Sequence, residues 1–320
     1  MTLETRKRGN APPPLGTRLG EWVEWASIRL QHAGVRCESG HQTPEAEAAY
    51  LVCFALGWPE EEVEARWDEA VPAARWEAAR KLVERRIRER KPAAYLTHEA
   101  WFAGHRFYVD ERVLIPRSRI EILIDDPVWL RKLLGGRDPE RVLDLCTGSG
   151  CIAIALALAW PVCRVTGVDL SPEALEVAEK NRRLLGVADR VRLARSDLFS
   201  GLAGERFDLI LTNPPYVPNA TCDALPREYL HEPDLALRGG PLGLDLVEPL
   251  LRQAPDFLTP DGVVILEVGD EVEAVMRRLW PGLRGRWLRF DFGLSGVLTV
   301  GRKALERWRR GAPPSGGFPA

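Results

Sequence analysis

Two short stretches hold the residues able to do chemistry. The first is 211-LTNPPYVP-218, where the polar amide of Asn213 follows the apolar run Phe207-Asp208-Leu209-Ile210-Leu211 and precedes two prolines and a tyrosine. A strand can stop at Asn-Pro, because proline lacks an N–H and restricts the residue before it. That accounts for Asn213-Pro214 but not for Pro215 and Tyr216. The tetrapeptide suits transfer of a group to a planar nitrogen, whose delocalised lone pair makes it a poor nucleophile. The side-chain oxygen of Asn213 and the carbonyl of Pro214 can accept the two N–H bonds of such a nitrogen. Its plane is then fixed and its lone pair turned towards an electrophile. The prolines hold that carbonyl rigidly, and Tyr216 offers a ring face to a flat group. The rate comes from orientation at roughly 3 Å, and no strong base is needed.

The second stretch is 144-DLCTGSGCIA-153. Glycines at 148 and 150 let the backbone turn sharply and approach a ligand closely. On the order of twenty residues later Asp169 ends another apolar run, where a carboxylate can accept both hydroxyls of a ribose. A third run ends in 196-SDLF-199, with Asp197 and Leu198. A glycine loop, an acid and a polar pair at successive strand ends point to a nucleotide-type ligand. The pattern Gly148-x-Gly150-x-x-Ala153 followed by Asp169 also fits a dinucleotide fingerprint, which keeps NAD open. Two departures stand against a pyrophosphate: Cys146-Thr147 replace the first glycine, and Asp144 precedes the loop. An acid there suits a cationic amino-acid group better.

These residues need a scaffold that brings strand ends together. Beyond about Arg141 the strand-like runs 141-RVLDL-145, 164-RVTGVD-169, 191-VRLARS-196, 207-FDLILTN-213 and 262-GVVILEVG-269 alternate with helical segments. Helices are predicted at 152-IAIALALAW-160 and at 171-SPEALEVAEKNRRLLG-186, the latter with Ser171 as N-cap, Pro172 at its first position and Gly186 as its stop. Such alternation with near-continuously apolar strands predicts an α/β fold, a parallel sheet covered on both faces. Two more runs, 286-RWLRFDF-292 and 296-GVLTVG-301, close it without an intervening helix. Upstream, residues 17–92 read as a small helical domain, with apolar faces around Trp22 and Trp25, around Leu51 and Leu56, and around Leu82 and Val83. Residues 93–116 read as a hairpin or linker, and 117–302 as the domain carrying the chemistry. Residues 1–16 and 303–320, which include GNAPPPL and GAPPSGGFPA, read as disordered tails.

The hydrophobic share of 45% and charged share of 28% are those of a soluble globular protein. A net charge of -2 gives no global pull towards nucleic acid, so direct nucleic-acid contact is not expected. The basic run 80-RKLVERRIRERK-91 is interleaved by Glu84 and Glu89 and reads as a solvated helix face. Asp223, Glu228, Glu232 and Asp234 are candidates for an acidic groove facing a basic protein substrate. The six cysteines form no C-x-x-C pair and the five histidines do not cluster. The expectation is a reducing cytoplasm and no metal site. No run approaches the roughly 18 apolar residues of a membrane span, and the start lacks the apolar core of a signal peptide.

Taken together, Asp144-Leu-Cys-Thr-Gly-Ser-Gly150, Asp169 and Asn213-Pro-Pro-Tyr216 resemble the S-adenosylmethionine-dependent N-methyltransferases. The run 93-AAYLTHEAWFAGHRFYVDERVLIPRS-118 narrows the resemblance to those methylating glutamine side chains in proteins. Its wording, with 231-HEPDLALRGGPLGLDLV-247, is closer to the class acting on ribosomal protein L3 than to the release-factor class. The similarity runs from roughly residue 17 to 302. It departs at the acidic motif after Pro116-Arg117, where Arg119 replaces a proline and Glu121 comes one position early. The resemblance implies a Rossmann-like seven-stranded class I methyltransferase sheet with its last strand antiparallel, and a helical N-terminal domain for substrate recognition. It implies that Cys146, Thr147, Gly148, Ser149 and Gly150 wrap the methionine portion of S-adenosylmethionine. It implies too that Asp169 holds the ribose and that Leu198, after Asp197, covers the adenine. Asn213 is then shared between cofactor and substrate, and Pro214, Pro215 and Tyr216 hold the glutamine. Release factor as partner, and an adenine or guanine in nucleic acid as substrate, are the alternatives this chemistry leaves open.

Overall fold

The computed structural model describes residues 11–37, 40–290 and 296–311. It divides into two compact units, Met1–Glu99 with Pro226–His231, and Ala100–Leu225 with Glu232–Ala320. The first unit is built from the helices Leu19–His32, Pro44–Leu56, Ala73–Glu89 and Ala93–Thr97. Thr43 caps the second of these by accepting the Ala46 N–H, Pro44 opens it, and Gly57 at φ 72° ends it. Trp22 is fully buried and meets Trp25 and Trp76 edge-on at 5.3 and 5.9 Å. The basic run is not solvated throughout: Arg86 is buried and donates to Glu47 at 2.7 Å. Pro226–His231 belongs to this unit through Glu228, a buried carboxylate that accepts the Arg36 N–H at 3.0 Å and pairs with Arg90 at 2.8 Å.

A hairpin of β1 (Glu99–Phe102), which starts on the last residue of Met1–Glu99, and β2 (His105–Tyr108) is turned by Ala103 and Gly104 with φ of 49° and 70° and leads into the second unit. After the short helices Ile120–Asp125 and Pro127–Leu133 comes a seven-stranded sheet. Its strands are β3 (Arg141–Leu145), β4 (Arg164–Asp169), β5 (Val191–Arg195), β6 (Phe207–Thr212), β7 (Leu258–Glu267), β8 (Arg286–Leu288) and β9 (Val297–Gly301). The order is β5-β4-β3-β6-β7-β9-β8. All neighbours from β5 to β7 run parallel, whereas β9 lies antiparallel to both β7 and β8. Helices Cys151–Ala159 and Pro172–Leu184 connect the parallel strands. Each face of the sheet carries its own apolar core, one centred on Ile154 and Leu156, the other on Ile210 and Leu266. This is the Rossmann-like seven-stranded α/β sheet with an antiparallel last strand that the resemblance implied. From β3 the chain winds outward through β4 and β5, and from β6 through β7. The carboxyl ends of β3 and β6 therefore flank the switch point, where open α/β sheets place their ligands.

The structure corrects the reading of the C-terminal tail from residue 303. Arg302–Gly311 is a helix. Leu305 and Trp308, three apart, are buried, and Trp308 meets Trp280 edge-on at 5.3 Å. Two apolar anchors among six basic and acidic neighbours are enough once a partner surface exists. The predicted tails 1–10 and 312–320 lie outside the described residues, as do 291 and 292 of the predicted eighth strand. Among the described residues, no helix is long and apolar enough to cross a membrane.

Candidate active site

β3 runs straight into the glycine loop. Cys146, Gly148 and Gly150 all take left-handed φ, 60°, 54° and 82°, and Gly150 caps the following helix. Asp144 lies buried beneath the loop. Its Oδ2 accepts the Thr147 hydroxyl at 2.6 Å and the Ala153 N–H at 3.1 Å. Its Oδ1, equally buried, has no hydrogen-bond partner among the described residues. Burial pushes this carboxyl up to about 7. At the end of β4, Asp169 accepts the Gly148 N–H at 2.8 Å and the Ser171 N–H at 3.0 Å, so one carboxylate fixes both the loop and the next helix start. Burial raises its pKa as well.

A cavity opens here, lined by Cys146, Gly148, Asp169, Asp197, Leu198, Asn213 and Pro215, and closed by apolar side chains including Val168, Leu170, Leu235 and Leu246. Of the other residues singled out in the sequence, Thr147, Ser149 and Gly150 do not line it. The Thr147 hydroxyl is spent on Asp144, and the Ser149 carbonyl accepts the Asn181 amide at 2.9 Å. A Cβ on Gly150 would fall 3.0 Å from Ile154 and 3.2 Å from Ala178, so glycine lets two helices close on each other. These three bond to or pack against the chain itself and so shape the loop. Pro214 and Tyr216 are also absent from the lining.

Asn213 is half-exposed, and its side-chain amide has no hydrogen-bond partner among the described residues. The two prolines after it are buried. The Thr212 hydroxyl donates to the Leu145 carbonyl at 2.9 Å, which ties the end of β6 to that of β3. Tyr216 is clasped by a glycine segment whose role the sequence did not reveal. Val217 donates to the Leu237 carbonyl and Gly239 to the Val217 carbonyl, each at 2.9 Å. A Cβ on Gly239 would fall 2.7 Å from the Tyr216 Cα, and one on Gly243 would fall 2.2 Å from the Tyr216 carbonyl oxygen. Burial, and then the nearby Glu267, push the tyrosine hydroxyl up to about 12, so it stays protonated.

The segment 117–121 proves to be a structural hub. Arg117 donates to Glu232 at 2.8 and 2.9 Å. The Ser118 hydroxyl and Arg119 N–H donate to Glu267 at 2.5 and 2.9 Å, and Glu121 accepts the Ala103 N–H in the hairpin turn at 2.5 Å. Arg119 itself reaches Asp270 at 3.3 Å. The proposed acidic groove is not there. Asp223 and Asp234 pair with Arg238 at 2.8 and 3.3 Å, and Glu228 and Glu232 are buried on arginines. Each candidate carboxylate is neutralised within the chain.

Burial pushes the Glu267 carboxyl up to about 7 from 4.5. The native state therefore binds this proton more tightly than the unfolded chain does. The stabilisation this confers is complete below pH ~4.5 and lost as pH rises through about 7. Glu267→Gln, which cannot ionise, should gain stability relative to the parent by up to about 3 kcal/mol between pH 4.5 and 8. Denaturant melts at both pH values check this, and a constant difference between the proteins would contradict it.

The Methyltransferase small domain model matches residues 129–240, and the PrmC N-terminal domain model matches residues 21–97. The ribosomal protein uL3 glutamine methyltransferase of Bordetella pertussis is 43% identical, over 90% of this chain and 96% of its own length. The chain belongs to the ribosomal protein uL3 glutamine methyltransferase family. The member from Xanthomonas campestris pv. campestris is 46% identical, over 87% of this chain and 89% of its own. As a glutamine methyltransferase of this family, the protein is an enzyme acting on a planar amide, and the oxidoreductase reading of the glycine loop falls away. Asn213, whose amide has no hydrogen-bond partner among the described residues, lies at the edge of the cavity.

Proposed function

We propose that the cavity receives S-adenosylmethionine and that the enzyme methylates the side-chain amide nitrogen (N5) of a glutamine in ribosomal protein L3. The observation carrying this reading is the Asn213 amide, without a hydrogen-bond partner among the described residues, at the edge of a largely apolar cavity that Asp169 and Asp197 line with carboxylates. Burial, and then Asp169, Asp144 and Asp197, raise the pKa of the Cys146 thiol, so the loop side of the cavity carries negative charge. Such a field suits a cationic sulfonium and ammonium and disfavours a pyrophosphate. The free Oδ1 of Asp144 is a buried acceptor without a donor. Cys146 and Gly148 would hold the methionine portion, Asp169 the ribose, and Leu198 with Asp197 the adenine end.

Bound S-adenosylmethionine supplies a methyl group made electrophilic by its sulfonium. Asn213 and the Pro214 carbonyl accept the two N–H bonds of the glutamine amide and aim its lone pair at that carbon. Buried Pro214 and Pro215 hold the carbonyl still, and the Tyr216 ring supports the amide plane. With the donor bound, its methyl group would pass to the nitrogen as the bond to sulfur breaks, and the nitrogen's proton would leave to water at partly exposed Asn213. Choice among glutamines falls to surfaces outside Asn213–Tyr216, and we assign it to the helical segment 17–92 and the hairpin, in the cytoplasm where L3 is made.

Asp169→Ala should weaken S-adenosylmethionine binding by roughly tenfold or more. It removes charge-assisted contacts worth about 1.5–3 kcal/mol each and frees the Gly148 N–H. Calorimetry decides it, and unchanged affinity would refute the ribose assignment. In a thermal-shift assay S-adenosylmethionine should stabilise the parent and NAD should not; the reverse would overturn the proposal.

A further inference from the structure

The wall of the cavity formed by Pro233–Ala236 is a short turn closed by its own backbone bonds and by the exposed Asp234–Arg238 ion pair at 3.3 Å, with few of its side chains buried. Asp234 and Leu235 are exposed, Leu235 by 52%, and Pro233 and Ala236 are only partly covered. The buried residues at the two ends of this stretch are Glu232 and Leu237. Leu237 is fixed by its carbonyl's bond to Val217. Glu232 is fixed by a charge: its carboxylate, 1% exposed, takes Nη1 of Arg117 on both oxygens and the Ile115 N–H at 3.3 Å. Residues 112–114, just before those donors, form another part of the lining. Glu232, at one end of the first wall, is thus tied to the second by the Arg117 ion pair and the Ile115 N–H, neither of them in the cavity lining.

We infer that Arg117 and Glu232 form a pin that holds the Pro233–Ala236 wall closed over the methyl donor, and that they are positioning residues for its retention. The inference rests on the cavity receiving S-adenosylmethionine. A buried carboxylate stripped of its partner is strongly destabilised in place and leaves towards water. With the pin removed, the closed wall becomes one conformation among several, and apparent affinity falls by the fraction of time it is closed. Chemistry at Asn213, once the donor is held, is unaffected.

The test compares the full-length parent with Arg117→Met, Arg117→Lys and Glu232→Gln. S-adenosylmethionine affinity is read by calorimetry, and methyl transfer by radiolabel at saturating donor. Arg117→Met and Glu232→Gln should each bind the donor on the order of tenfold more weakly, with kcat within about threefold of the parent. Arg117→Lys, which keeps the charge, should recover most of the affinity. Glu232→Gln, which keeps the shape of the site, carries the test should Arg117→Met not fold. Donor affinity equal to the parent's in the folded variants overturns the pin, as does a fall in kcat with affinity intact. A parent that does not bind S-adenosylmethionine overturns the reading of the cavity and the pin with it.

Discussion

Asn213→Ala should bind S-adenosylmethionine with affinity close to the parent's and transfer methyl groups on the order of a hundredfold more slowly. The fold should tolerate the change, because the Asn213 side chain has no hydrogen-bond partner among the described residues and lies half-exposed at a cavity edge. What the change removes is the proposed acceptor for the substrate amide. Without it the nitrogen keeps its delocalised, planar geometry and presents no directed lone pair. Single-turnover rates at saturating donor isolate this step from binding. Near-parent turnover would sink the mechanism, and loss of donor binding alone would move Asn213 to the cofactor side.

Gly243→Ala should be at least as damaging, although the residue touches no ligand. It adopts φ 74°, and its Cβ would fall 2.2 Å from the Tyr216 carbonyl oxygen and 2.8 Å from Val272. The dihedral alone costs a non-glycine residue roughly 1–2 kcal/mol. The collision adds more, because both obstacles are backbone or packed core. The relief open to the chain is to move Tyr216, and with it the Pro214 carbonyl and the ring proposed to hold the amide. A displacement near 1 Å at such a site costs on the order of a hundredfold in rate. Gly186→Ala is the control: its φ is 68° but nothing lies within 4 Å of its Cβ. It should lose roughly 1–2 kcal/mol of stability and keep its activity. Equal activity in the two variants would show that strain, not the Tyr216 clasp, is at issue.

Local patterns made the sheet and its ligand edge legible. Apolar runs ending in Asp144-Leu145, Asp169 and Thr212-Asn213 placed the strand ends within a residue of those observed, because buried parallel strands must be continuously apolar. What remained hidden depends on pairing between distant residues. Arg117 and Glu232 are 115 positions apart, and Ser118 and Glu267 are 149 apart. No period or spacing announces such pairs. The acids from Asp223 to Asp234 looked like a surface groove because their arginine partners cannot be seen in composition. The bonds of the Thr147 hydroxyl to Asp144 and of the Ser149 carbonyl to Asn181 were hidden because a loop's sequence does not say which of its groups turn inward. The helix Arg302–Gly311 was hidden by its charge, its two anchors acquiring meaning only against Trp280 and the sheet.

The central claim, a methyl group placed on a glutamine amide of L3, is tested most directly by mass-spectrometric site mapping after transfer. Full-length enzyme, S-adenosylmethionine carrying a labelled methyl group, and either isolated L3 or isolated release factor would be incubated side by side. The account predicts label on the side-chain nitrogen of a glutamine in L3, with release factor unlabelled. Label on a residue other than glutamine would contradict the chemistry assigned to Asn213–Tyr216, and label on release factor in place of L3 would contradict the assigned partner.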